Sequence, residues 1–410
     1  MGSGSSSGTD GERKRLLVLG AGPAQLGLHR AARERGLFVI ACDRDPTAVG
    51  FAYADRRAVV SVEDEAAIGQ LARAEQVDGI IAPGIDWPVA IAARLAAHTG
   101  LPHPVAPETA ALTVLKHRQR KRLAEHGVPQ PRWDVATVAG DDLPLPAVVK
   151  PVDRQGQKGL AVVADAAELA EAIAAAVGAS RNGLALVEEL VPGPEITVNA
   201  FSVGGVFHPL TVTDRLTGTG AAFGVALAHA WPSAHAVEEA VETARLAADA
   251  LGVTDGPTYT QLVLGPAGPR VMELAARLGG GHDAELCRVA LGIDLNGLAL
   301  AAALGEPIEL PEPEPAPGAV VRFLVPPEGV LEDVSGVEEA LAVDGVVDAR
   351  VYRQPGWEFG PLRRGNDRAG YVLARGDSRD DALARADRAA GLIRFRTVDA
   401  EALVGEPLSK

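Results

Sequence analysis

Residues 271–283 read "VMELAARLGGGHD". An apolar run (Val271, Met272, Leu274, Ala275, Ala276) contains one carboxylate, Glu273; Arg277 follows just past it, and then come Gly279, Gly280 and Gly281. A carboxylate partly buried in a strand needs a counter-charge. The permanently charged guanidinium of Arg277 just past the strand, and a glycine backbone bare of side chains beside it, pose the question of a site. The plainer alternative is a core strand with a Glu273–Arg277 surface ion pair.

The bulk composition narrows the classes. The chain has 410 residues, enough for two or three domains, and is 47% hydrophobic. A formal net charge of −15 argues against nucleic acid or an anionic membrane as a partner. The two cysteines, Cys42 and Cys287, sit in separate apolar segments without CxxC spacing. That excludes a disulfide framework and points to a reducing, cytoplasmic setting. No apolar run is long enough to span a membrane. The opening residues 1–13 read as a flexible tail or tag.

Along the chain, "RLLVLG", "FVIACDRD", "ADRRAVVSV" and "VDGIIAPGID" are strand-like and alternate with the helical stretches "AQLGLHRAARERG", "AAIGQLARAEQ" and "WPVAIAARLAAHTG". This alternation predicts a doubly wound parallel sheet over residues 14–104. "PETAALTVLKHRQRKRLAEHGVPQPRW" reads as helix, turn, helix and stop. A second unit spans 105–310, with a small α+β module over about 130–200. In it "LPAVVKPVDRQGQKGLAVVAD" sets two strands around a polar, glycine-bearing loop, and "PGPEITVNAFSVGGVFHPL" predicts an antiparallel pair turning at Gly204-Gly205. "ELPEPEPAPGA" is a linker, and 317–410 reads as a compact α+β tail domain.

Several motifs carry chemistry. "GAGPAQLG" after the first strand approaches a dinucleotide fingerprint, with Asp43 placed like a ribose-binding acid, but Gln25 occupies the third glycine position. A tight strand–helix turn lining a cleft is the alternative, and a nicotinamide-dependent reductase is the function it would compete with. "AVVKP" places Lys150 in an apolar strand, and Lys116 stands on the first helix pair of the second unit. Two ammonium groups, a glycine loop and later carboxylates are the parts a nucleoside triphosphate needs. The P-loop pattern is absent. "LVEELVPGPEITV" carries Glu188, Glu189 and Glu195 at a strand end.

Taken in order, Lys116, "EHGVPQP", "VVKP", "GQKG", "VEELVPGPE" and "MELAARLGGG" resemble the ATP-grasp superfamily, most nearly its amino-acid (dipeptide) ligases and carbamoyl-phosphate-synthase-like relatives. The resemblance covers nearly the whole chain. It implies an α/β, ATP-grasp fold with an N-terminal doubly wound pre-ATP-grasp domain and a C-terminal α+β lid domain. It also implies the cofactors ATP and Mg2+, small-molecule carboxylate and amine substrates, and a homodimer. Lys116 and Lys150 would contact the ATP phosphates or adenine. The loop with Gly156, Gln157, Lys158 and Gly159 would close over the phosphates. Glu188 and Val191 match the hinge that offers backbone groups to adenine, and Glu195 the acid that takes the ribose hydroxyls. Glu273 matches the magnesium carboxylate, and Arg277 the clamp on the transferring phosphate. Lys158 and His229 join Arg277 as catalytic candidates.

Three departures stand out. Gln261, in "TYTQ", occupies the place of the first metal carboxylate. Ala275 replaces a metal-binding asparagine. Ala226, three residues before His229 in "FGVALAHAWPS", replaces a glutamate common in relatives. If that glutamate holds a substrate amine, the acyl donor here is not an α-amino acid. The implied reaction is ATP-dependent carboxylate–amine ligation through an acyl phosphate. The alternatives are a purine-pathway or carboxyphosphate-forming enzyme, or a nucleotide-binding relative that has lost catalysis.

Overall fold

The computed structural model describes residues 13–140 and 143–399. Of the expected tail at 1–13, all but Arg13 lies outside the described residues; Arg13 pairs with Asp55 at 2.9 Å.

The first four strands are β1 (Arg15–Leu19), β2 (Phe38–Asp43), β3 (Arg56–Val59) and β4 (Gly79–Ile81), with α1 (Leu26–Glu34), α2 (Glu65–Ala74) and α3 (Trp87–Thr99) between and after them. Of these, β1, β2 and β4 are buried almost throughout, as parallel strands covered on both faces must be, while β3 is an exposed edge strand. The sheet order is β3-β2-β1-β4, all parallel. The Asp64 side chain caps α2 through the Ala67 N–H at 3.0 Å, and Gly100, left-handed at φ +73°, ends α3.

Two helices, α4 (Pro107–Val114) and α5 (Lys116–Glu125), lead to the small module. It is built from β5 (Trp133–Ala136), β6 (Ala147–Pro151), β7 (Ala161–Val163), α6 (Ala166–Ala179) and β8 (Ala185–Glu189), in the antiparallel order β5-β8-β6-β7. Val149, Val163, Leu169, Ile173 and Val187 give this module its own core.

The larger unit adds β9 (Glu195–Val203), β10 (Val206–Thr217), β11 (Ala226–Trp231), α7 (Glu238–Leu251), β12 (Gly256–Gly265), β13 (Gly268–Ala275), α8 (Asp283–Leu291) and α9 (Leu295–Ala303). β9 and β10 form the expected hairpin, with Gly204 and Gly205 at φ +56° and +82°, the left-handed pair that a two-residue hairpin turn requires. The tail contributes β14 (Gly318–Leu324), β15 (Gly329–Ser335), α10 (Val337–Leu341), β16 (Val346–Val351), β17 (Glu358–Phe359), β18 (Gly370–Gly376), α11 (Arg379–Leu392) and β19 (Arg394–Val398).

The tail joins the central sheet: β14, β18 and β16 extend it into eight antiparallel strands, β13-β12-β9-β10-β11-β14-β18-β16. Only β17-β15-β19 form a separate layer. The Pro/Glu linker is not a free spacer. Its Glu314 and Ala316 N–H groups donate to Leu291 and Ala290 carbonyls at 2.8 and 2.7 Å, so it lies along the end of α8. The N-terminal sheet shares continuous cores with the central unit on both faces: Leu17, Ile40 and Ile80 with Ile196 and Leu274 on one side, and Leu16, Val18 and Leu28 with Leu286 and Leu300 on the other. Cys42 and Cys287 are both buried and unbonded. Among the described residues, no helix is long and apolar enough to cross a membrane.

Candidate active site

A cavity of about 890 Å3 lies between the small module and the central sheet. Small-molecule sites run from about 300 to 1,000 Å3. Lys116, Lys150, Glu188, Glu195, Gln261 and Glu273 line it, and the loop at Gly156–Lys158 and Val191 complete the wall.

Antiparallel register creates the acidic side. β12 and β13 are adjacent, and Gln261 stands directly opposite Glu273. Residues directly opposite in a sheet share a face. Glu273 Oε1 accepts from Lys116 Nζ at 2.9 Å. Burial alone would raise the Glu273 carboxyl, but Lys116 and Lys150 beside it hold it at about 2. Burial would lower Lys116; Glu273 and Asp86 outweigh this and keep the ammonium above the ordinary lysine range. The pair is therefore ionised across the neutral pH range.

Glu188 has no solvent exposure. Its backbone is paired on both sides, with Val148 and with Trp133. Its carboxylate bridges Arg120 Nε at 2.5 Å and Lys150 Nζ at 2.6 Å. Arg120 also donates to the Val271 and Met272 carbonyls at 2.6 Å each, so it ties β8 to β13. Burial holds Lys150 below the ordinary lysine range; Arg120 and Lys116 add to this, against Glu188.

Glu195 Oε2 accepts from Arg215 Nη1 at 2.5 Å and from Gln261 Nε2 at 2.8 Å. A carboxylate only accepts, so the amide nitrogen of Gln261 faces Glu195 and its oxygen points elsewhere. Oε1 of Glu195 is left for a hydroxyl donor.

The loop of Gly156, Gln157, Lys158 and Gly159 is tethered on two sides. Gln155 Oε1 accepts from the Asp86 N–H at 2.6 Å, and Gln157 Nε2 donates to the Gly224 carbonyl at 3.2 Å. Gly156, Gln157 and Gly159 all take left-handed backbone, at φ +67°, +60° and +72°.

Arg277 and His229 are not in the cavity wall. Arg277 donates through Nε to Asp86 Oδ1 at 2.8 Å and through Nη1 to the Leu278 carbonyl at 2.8 Å, and its Nη2 is paired with the same Asp86 oxygen at 2.6 Å. His229 is 1% exposed, and burial lowers it to about 4, so it is neutral at pH 7. Its Nε2 sits where a side chain on Gly281 would stand, 2.7 Å from that Cβ position. The glycine run therefore differs from expectation in one respect. The Gly281 N–H is already engaged by Asp283 Oδ2 at 3.0 Å, and Gly280 packs against the Gly84 carbonyl. Close packing requires these glycines, whatever anion they also meet.

"GAGPAQLG" resolves as the tight turn. Asp43 Oδ2 accepts from the Ala21 N–H at 2.9 Å and Oδ1 from the Asp45 N–H at 3.0 Å, so the acid placed for a ribose holds its own loop. Gln25, buried, donates to the Pro83 carbonyl at 2.9 Å.

Sequence reading missed Arg120, Arg215 and Asp86. Arg120 had a signal: it lies one helical turn after Lys116 on α5, on the same face. Asp86 also had one, since it lies in the loop that leaves the C-terminal end of the parallel strand β4 and enters α3, where ligands gather in open α/β sheets. Arg215 follows a buried run in β10 and carried no distinguishing pattern.

Comparison with known proteins gives three kinds of match. A model of the "L-amino acid ligase C-terminal domain 2" matches residues 322–398. A formate-dependent phosphoribosylglycinamide formyltransferase from Thioalkalivibrio sulfidiphilus is 31% identical over 401 residues, covering 93% of this chain and 96% of the relative. An uncharacterised protein from Sinorhizobium fredii is 29% identical over 381 residues, covering 86% of this chain and 76% of the relative. Among solved structures, the L-amino acid ligase from Bacillus licheniformis superposes with a TM-score of 0.80 at 22% identity, covering 94% of this chain and 99% of that one. The phosphoribosylglycinamide synthetase from Anaerococcus prevotii gives 0.77 at 19% identity, covering 94% and 100%.

Proposed function

We propose site roles and a substrate class for this chain, which belongs to the ATP-grasp superfamily of ADP-forming carboxylate–amine ligases. The supporting observation is the cavity between the small module and the central sheet, where Lys116, Lys150, Glu195, Gln261 and Glu273 converge under a glycine-bearing loop.

ATP would lie in this cavity. Lys116 and Lys150 would neutralise phosphate oxygens, Val191 would border adenine, and Oε1 of Glu195 would take ribose hydroxyls. Gly156, Lys158 and Gly159 would cover the phosphates. Glu188 acts one step back, by holding Lys150 and Arg120. Among the described residues, no three His, Cys, Asp or Glu side chains group as a protein cage for a metal. That fits magnesium, which keeps waters and needs only one or two protein ligands beside substrate phosphates. The facing pair Glu273 and Gln261 would hold it, with Glu273 supplying the charge. When bound, the ion draws electron density from the phosphates and offsets charge on the departing ADP.

In the reaction, a substrate carboxylate oxygen attacks the γ-phosphorus, and the bond to the ADP oxygen breaks. An amine then attacks the acyl carbon, phosphate leaves, and the amine gives up a proton. The chain's part is positioning and charge neutralisation. Arg277 would meet the transferring phosphoryl group. His229, buried and neutral, packs against the Gly281 backbone and would act as a structural support rather than a proton carrier. Ala226, buried in β11, offers no carboxylate; if the relatives' glutamate at this place holds a substrate amine, the acyl donor here would not be an α-amino acid.

A second reading has its own support. The similarity to the formate-dependent formyltransferase extends over nearly both full lengths, which favours formate as donor and phosphoribosylglycinamide as amine. A screen of acid and amine pairs for phosphate release, with products weighed by mass spectrometry, separates the two. An amide with a larger acid supports the first reading, and a formylated ribonucleotide supports the second. ADP binding without product from any pair would favour a relative that has lost catalysis. A cytoplasmic homodimer belongs to the same reading, and light scattering tests its stoichiometry.

A further inference from the structure

Asp86 sits between β4 and α3, is 6% exposed, and has two contacts that meet at one residue. Its carboxylate Oδ1 accepts from Arg277 Nε at 2.8 Å and pairs with Nη2 at 2.6 Å. Its backbone N–H donates to Gln155 Oε1, from the glycine-bearing loop, at 2.6 Å. The next residue, Trp87, receives a second contact from the small module. The Arg181 guanidinium lies 4.1 Å from the Trp87 ring centre, while Arg181 also binds Glu63 at 2.5 Å and the Asp153 carbonyl at 2.7 Å. Asp153 is the residue that opens the loop, and it is 3% exposed; its carboxylate in turn accepts from the Arg181 and Asn182 N–H groups at 3.0 and 2.9 Å. The small module, with its own core, thus meets the N-terminal domain at the start of α3, where Arg277 is anchored.

The guanidinium geometry explains what this anchoring does. Arginine has five N–H groups in a rigid fork. Hydrogen bonds to Asp86 and the Leu278 carbonyl engage two of them, and Nη2 rests against the same Asp86 oxygen as an ion pair. The remaining N–H groups have their direction fixed, because the fork is planar. A side chain with this much rotamer freedom would otherwise lose entropy each time it aimed at a phosphoryl group.

We propose that Asp86 is a positioning residue that couples closure of the 153–159 loop to the aim of Arg277. Closing the loop seats Gln155 on the Asp86 backbone and fixes the carboxylate that orients the guanidinium. The coupling rests on the reading of Arg277 as the group that meets the terminal phosphate. Asp86 itself touches no substrate in this scheme, and its effect passes through Arg277.

The test uses the full chain and two probes, ADP with magnesium and adenylyl-imidodiphosphate with magnesium. The preference for the triphosphate analogue over ADP reads the contact to the terminal phosphate. Arg277→Ala is expected to lower that preference about tenfold, the size of a lost charge-assisted contact. Asp86→Asn keeps size and fold but loses the charge, and should lower the preference in the same direction. The double variant should fall no further than Arg277→Ala alone, because both changes remove one contact. Gln155→Ala, on the exposed loop, should lower the preference and raise hydrogen exchange at 153–159 in the analogue complex. An unchanged preference in Asp86→Asn beside a clear loss in Arg277→Ala overturns the coupling alone, as does a double variant whose losses multiply. A parent that does not distinguish the probes, or an Arg277→Ala variant that still does, overturns the role given to Arg277, and the coupling with it.

Discussion

Replacing Gln261 by glutamate sets a second carboxylate against Glu195. In the parent, Gln261 Nε2 donates to Glu195 Oε2 at 2.8 Å. With glutamate at 261 that donor becomes an acceptor, and two negative charges lie about 4 Å apart. At an effective dielectric constant of about 20 their repulsion is about 4 kcal/mol. Arg215, at 2.5 Å from the same oxygen, offsets part of it. The metal-free Gln261→Glu protein should therefore melt below the parent. Magnesium reverses the sign, because a charged ligand opposite Glu273 repays the dication's lost hydration better than an amide does. A ligand at a hundred times its Kd stabilises by about 2.7 kcal/mol, so a lower Kd moves the whole melting curve to lower magnesium. The assay is thermal melting at fixed ADP, first in EDTA and then along a magnesium series. Gln261→Glu should start lower and rise more steeply than the parent, and Gln261→Ala should show neither behaviour. A Gln261→Glu protein as stable as the parent in EDTA, with the same magnesium response, would refute the placement of Gln261 between Glu195 and the metal.

Other consequences follow from the same geometry. Lys150→Ala removes an ammonium from the cavity and leaves Glu188 with Arg120 alone; ATP affinity should fall roughly tenfold or more, and calorimetry that finds it unchanged would move the phosphate site elsewhere. Hydrogen exchange at 153–159 should slow when a non-hydrolysable ATP analogue and magnesium are added, because a nucleotide adds contacts to those of Gln155 and Gln157; equal exchange would count against a lid. His29 and His229 are buried, and burial lowers both to about 4 from 6.5. The unfolded chain then binds more protons between those values, so stability is complete above about pH 6.5 and falls as pH drops towards 4. His229→Asn should flatten the slope of melting temperature over that window, and an unchanged slope would contradict the neutral, buried state of His229.

The pairing of Gln261 with Glu273 came through the family resemblance, and β12 and β13 show why it holds: joined by a short turn, neighbours in sequence are neighbours in the sheet. The parallel N-terminal sheet was legible in the sequence itself, as short buried runs alternating with helices. What depends on distant segments was not. Arg120 lies in "KHRQRKRLAE", a stretch whose density of charge reads as solvated surface, yet it is 2% exposed, because β8 brings Glu188 to it from 68 residues away. Asp86 and Arg277 are separated by 191 residues, and only packing of the N-terminal sheet against the central unit joins them. The merging of the tail with the central sheet was hidden too, since the linker before β14 looks like a boundary although β11 and β14 pair across it.

The most direct test of the central claim is product formation by the parent and by Glu273→Ala on an acid–amine pair found by the phosphate-release screen. The parent should yield ADP, phosphate and amide in equal amounts, and only when both substrates are present. Glu273→Ala should yield none, because Lys116 then loses its hydrogen-bonded carboxylate and the proposed metal site its charge. ADP formed without amide, or a Glu273→Ala protein that turns over like the parent, would contradict the account.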